Sequence, residues 1–168
     1  MTKFTPSTEQ LKGALEHIYY EIDQLTETLI GTNNVALNNS LVESRLIHVR
    51  ALQDFFQKSA RRTRKGNELD DVLSLDYGFG PQPVNIPTAY QERLNKDLAH
   101  LTYSRSQRLP KDKPWPHDQV VLPILERSKQ FSEHLISSYL PTNCPEKLKE
   151  WQALVDRIKA MYVIKLGS

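Results

Sequence analysis

The sequence predicts an all-α fold, an up-and-down helical bundle of about five helices with one long irregular connection. Three observations predict it. Five stretches repeat apolar residues at spacings of three and four. Breaks rich in glycine, asparagine and proline separate those stretches. No stretch of useful length alternates apolar and polar residues with period two, so no sheet is expected. At 168 residues the chain has the size of one ordinary domain, and residues 1–168 are expected to form a single helical-bundle domain.

The first helix is expected over Thr8 to Gly31. Its Leu11, Leu15, Ile18, Ile22, Leu25 and Leu29 form a narrow apolar stripe, the pattern of a bundle seam. Turn chemistry at Gly31-Thr32-Asn33-Asn34 ends it. The second helix is expected from Asn38 to Arg64. Its apolar arc is wider, with Leu41, Val42, Leu46, Val49, Leu52, Phe55 and Phe56, so it should touch more than one neighbour. An irregular stretch follows from Gly66 to Pro87, where Gly78-Phe79-Gly80-Pro81-Gln82-Pro83 is incompatible with a helix. Connections this long are often packed or functional.

Pro87 suits the start of a third helix, running to Gln107 with Tyr90, Leu94, Leu98 and Leu101 as its stripe. Prolines from Leu109 to Pro116 break it. A fourth helix is expected from Asp118 to Leu140, with Pro123 in its first turns and with Ser128 and Ser132 inside the apolar arc, where small residues let a neighbour approach closely. A fifth starts at Cys144-Pro145-Glu146 and presents Leu148, Trp151, Leu154, Val155 and Ile158. Short links predict that the first two helices, and the last two, are antiparallel neighbours. The first four are expected to form the core, with the fifth alongside.

Composition excludes several classes. With 39% hydrophobic and 25% charged residues the chain is globular rather than disordered. A net charge of +2 does not imply a polyanionic partner. The single cysteine, Cys144, rules out an internal disulfide and a cysteine-based zinc cluster. No apolar run reaches signal or membrane length, so a cytoplasmic protein without a membrane partner is expected. No cofactor is implied.

A few polar residues sit where a bundle should be apolar. At about 100° per residue, Arg45 falls in the middle of the second helix's apolar arc and His48 at its edge. A guanidinium there needs a carboxylate or carbonyls, because an unpaired buried charge costs several kcal/mol. Asp97, Asp70 and Asp71 are the candidate carboxylates. Such a group serves either as an anion site or as a structural ion pair. Asn95 and Thr102 share one face of the third helix, and Arg93 and His100 another. His17 and Glu21 are four apart but lie off the apolar stripe of the first helix. The run from Lys58 to Lys65 carries five cations in eight residues. It suits a nucleic-acid backbone or, equally, a solvated helix end.

Two resemblances add to this. The stretches Glu43–Phe56, Asp70-Asp71-Val72 and Leu94–Arg105 resemble segments of uncharacterised bacterial helical-bundle proteins, which implies a bundle and points at these polar residues. Arg93, six residues, then His100 is similar to the loose arginine–histidine motif of HEPN-type helical domains. That likeness implies metal-independent RNA cleavage across a dimer interface, with Arg93 stabilising phosphate charge and His100 moving a proton. Arg127 and His134 repeat the spacing outside the apolar arc of the fourth helix. No Glu-x-x-His pair, Gly-x-Ser-x-Gly elbow or phosphate-binding loop occurs.

Three functions stay open. One is a non-catalytic interaction or structural module, with a homodimer as one form it can take. The second is a HEPN-like RNA-binding protein or ribonuclease, with Arg93 and His100 as its catalytic candidates. The third is a metal-binding helical bundle, for which no ligand set is assigned. The binding candidates are Arg45, His48, Asp70, Asp71, Asn95 and Asp97.

Overall fold

The computed structural model describes residues 2–98, 103, 107, 109 and 113–166. Helix α1 (Thr8–Glu27) begins at Ser7. The Ser7 hydroxyl accepts from the Gln10 amide and the Gln10 side chain accepts from the Ser7 amide, so two orphan donors are satisfied reciprocally. Its stripe of Leu15, Ile18, Ile22 and Leu25 is buried. Asn34 caps α2 (Val35–Gln57) by accepting from the Leu37 amide. The two helices run antiparallel: Thr28 meets Arg45 at one end, and Glu21 meets His48 further along.

The second helix stops at Gln57, short of the expected Arg64. The cations beyond it explain why. Leaving the helix lets Arg61 reach Asp76 at 2.6 Å and Arg62 grip Asp71 through Nε at 3.0 Å, pairings that helical geometry would forfeit. The freed segment forms a minimal antiparallel hairpin, β1 (Thr63–Arg64) and β2 (Asn67–Glu68). Lys65 and Gly66 at its turn have φ of 51° and 81°, the left-handed pair that a two-residue hairpin turn demands. The Glu68 amide also donates to the Thr2 carbonyl, which ties the N-terminal segment to the hairpin. The expectation of no sheet is corrected here; strands two residues long carry no period that a sequence pattern can display.

The irregular stretch is a packed brace. Leu73, Tyr77, Val84 and Ile86 are buried. A 3-10 turn (Ser74–Tyr77) presents the Tyr77 hydroxyl to the Leu11 carbonyl at 2.9 Å. The Gln82 amide donates to Phe56, and Gln57 donates to Val84. Helix α3 (Thr88–Lys96) follows, with Leu94 buried. The rest of the expected third helix, to Gln107, falls mainly outside the described residues.

Short α4 (His117–Val120) leads into α5 (Leu122–His134), which has Pro123 in its first turn as expected. A π turn (Leu135–Tyr139) and α6 (Leu140–Asn143) continue the same rod. Pro141 accounts for the widened turn, since its ring clashes with the carbonyl four residues back and it has no amide to donate. A 3-10 turn (Pro145–Lys147) then opens α7 (Leu148–Leu166).

The fold is an all-α up-and-down bundle, but its last helix is central rather than lateral. Helix α7 packs on α5 and α1, while α3 lies against α2. Trp151, Leu154 and Ile158 of α7 are wholly buried. Phe131 of α5 sits at the centre of the aromatic core, with the rings of Phe55, Phe56, Tyr77, Phe79 and Trp151 at 5.1–6.2 Å. Ser128 and Ser132 of α5 are fully buried. No helix among the described residues is long and apolar enough to cross a membrane.

Candidate functional site

Because α1 and α2 are antiparallel and both bury their stripes on the same side, their outer flanks leave a groove between them. Its volume is about 400 Å³. Ala14 and Ile18 of α1, and Ala51, Leu52 and Phe55 of α2, make an apolar floor. The brace closes one side with Val72 and Asp71. Charged groups stand around the rim: His17 and Glu21 from α1, Asp54 and Lys58 from α2, and Arg62.

Almost all of these charges are answered within the chain. Lys58 binds Asp54 at 2.7 Å, one helical turn back. Arg62 grips both oxygens of Asp71, with Nη2 to Oδ1 at 2.5 Å, and its amide donates to the same carboxylate. The hydrogen bonds from Arg62 hold the Asp71 carboxyl at about 2, below its ordinary 3.8. Asp71 is therefore an anion at any physiological pH and a poor proton donor.

At the far end of the groove Nδ1 of His48 meets Glu21 Oε2 at 2.7 Å, while Ser44 Oγ stands 3.5 Å from Nε2. Tyr20 covers the imidazole edge-on at 5.9 Å, and the ring is buried. Serine, histidine and glutamate in this order are the parts of a nucleophilic relay. Here they lack an oxyanion hole, because Ser44 lies mid-helix, where the backbone amides are spent on helical bonds. The arrangement fixes the α1–α2 register instead.

The other residues singled out from the sequence lie elsewhere. Arg45 is half-buried and donates to the Thr28 carbonyl, at the C-cap of α1. Burial pulls its pKa down, and the negative end of the α1 dipole offsets that. The carboxylates proposed for it are engaged otherwise or distant in function: Asp71 holds Arg62, Asp97 lies 3.7 Å from Arg93, and Asp70 is exposed. Asn95 is exposed as well.

Arg93 is buried, with its guanidinium 3.9 Å from the Trp115 ring centre and 5.6 Å from that of Tyr90. It donates to the carbonyls of Lys113 and Pro114. It thus clamps the proline-rich connection onto α3. His100 lies outside the described residues. Arg127 and His134, the second match to that spacing, both hold the brace. Arg127 stacks on Phe79 at 4.1 Å and donates to Gly80, and His134 Nε2 donates to the Tyr77 carbonyl at 2.9 Å.

The groove was only partly visible in the sequence. His17 and Glu21 read as a solvated pair, Lys58 and Arg62 as part of a basic run, and Asp54 carried no reading of its own. The available signal was His48 at the edge of the α2 apolar arc, on a helix expected to run antiparallel to α1. No group of three or more His, Cys, Asp or Glu side chains placed to hold a metal ion occurs among the described residues. No family model, curated protein or solved structure matches the chain.

Proposed function

We propose that the chain is a helical interaction module without chemistry of its own, and that it docks a protein partner on the α1–α2 groove. One observation carries this: the floor of the groove is apolar and open while its rim charges are consumed by internal pairs. A small-molecule or catalytic pocket aims unpaired polar groups at its occupant. A docking face offers apolar area inside a polar rim. Val72 lines the groove and is 40% exposed; Tyr20 at 53%, packed on His48, and Ile47 at 55%, one helical turn before Ala51, are exposed apolar side chains towards its Glu21 end. Singly they need no explanation, but grouped around one recess they make a patch.

The basic run fits this reading better than it fits nucleic acid. Three of its five cations already hold carboxylates: Lys58 with Asp54, Arg61 with Asp76 and Arg62 with Asp71. Only cations free to meet a phosphate displace the counterions condensed on it.

The test is site-specific photo-crosslinking in cells that express the chain from its own locus. A photoreactive amino acid replaces Ile47 in one strain and the exposed Gln152 of α7 in another. A discrete cross-linked species from position 47 alone supports docking on the groove. No adduct at 47, or the same adducts from both positions, sinks it.

A further inference from the structure

Resting on the docking reading above, we infer that the occupant of the α1–α2 groove is a second copy of this chain, related by a two-fold axis. The face carries both halves of such a contact. Tyr20, whose ring packs on His48, and Ile47, beside His48 in the chain, are exposed apolar side chains, while Ala14, Ala51 and Phe55 line the groove. On the α2 axis Ile47 and Phe55 are separated by about 12 Å. A two-fold perpendicular to the hairpin and midway between those levels seats the protrusion of each copy in the recess of the other, as an isologous interface requires.

Small residues make room for it. Ala14 on α1 and Ala51 on α2 line the recess. Charge agrees as well. A patch that meets its own image repels itself if it carries one sign. This rim carries both signs, Glu21, Asp54 and Asp71 with Lys58 and Arg62. A strongly acidic or basic partner finds no complement there.

The size is sufficient. Helix α1 has 20 residues and α2 has 23. A hairpin about 30 Å long and two helices, about 20 Å, wide presents about 600 Å² per copy, or about 1,200 Å² in the pair. That is the lower bound of stable interfaces, so the dimer dissociates at low concentration.

Sedimentation velocity of the purified full chain over a dilution series tests this. The expected result is a reversible shift from the 19.4 kDa monomer to a species of twice that mass. Two variants interrogate opposite halves of the contact: Ile47→Glu charges the protrusion and Ala51→Arg fills the recess. Both positions are exposed, so each variant should keep the wild-type far-UV spectrum and melting curve. Each should weaken self-association about tenfold or more. A wild-type chain that stays monomeric at its highest soluble concentration overturns the second copy as occupant. The docking reading then depends only on a hetero-adduct from position 47. A dimer untouched by both variants also overturns the proposal, since its contact lies elsewhere.

Discussion

Arg45 takes the less conspicuous of the two kinds of partner that its place in an apolar arc allows. Its position inside an apolar arc demands a partner, and carboxylates are the natural candidates. The partner is a backbone carbonyl at the end of α1, a group every residue possesses and no side-chain pattern reveals. Asp71 is the converse, an apparently loose loop acid that Arg62 and the Arg62 amide hold on three hydrogen-bonding donors. Its depressed folded-state pKa has a definite consequence. Stability from the ionised form is fully present above the ordinary 3.8 and is lost as pH falls through about 2. Urea unfolding of wild type and Asp71→Asn should therefore differ most near about pH 5 and converge by about pH 2. A gap that stays constant over that range would show that the charge on Asp71 is not what stabilises the brace.

Among the elements, α2 and α3 show what periodicity measures. Helix α2 carries the expected apolar arc to Phe56, and there the arc stops; the residues after it read as helix only because nothing forbade helix. Carboxylates supplied by the brace decided otherwise. Helix α3 is short, and much of what secures it is one side chain. Arg93 lies between Tyr90 and Trp115 and holds two carbonyls of the proline-rich connection. A lysine there keeps the charge but loses the planar stack and the forked donors. Arg93→Lys is expected to cost about 2 kcal/mol in chemical denaturation, with a red shift of tryptophan emission as Trp115 loosens. An unchanged midpoint and spectrum would mean that the connection is held by something else.

The whole molecule is organised around Phe131 and Trp151, which join α5 and α7 to α2 and the brace. Cys144 sits within that core, at the junction of α6 and α7, with no exposed surface. Burial pushes its thiol pKa up, so at neutral pH it is protonated as well as inaccessible. Its labelling by a disulfide reagent should be about a hundredfold or more slower in the native protein than in urea, and should follow global unfolding. Rapid native labelling would show that the α6–α7 junction opens independently of the bundle.

By itself the sequence determined the fold class and the buried stripes of α1, α2, α5 and α7. Those follow from a period that a single helix imposes on its own residues. Only the tertiary structure decided the end of α2, the hairpin at Lys65-Gly66, the central place of α7 and the groove. Each of these depends on which side chains meet across elements: Arg61 with Asp76, Arg62 with Asp71, Glu21 with His48, Phe131 with Trp151. The candidate site belongs mainly to that second group. Its walls come from α1, α2 and the brace, and an apolar recess between two helices is a property of their packing rather than of either sequence stripe.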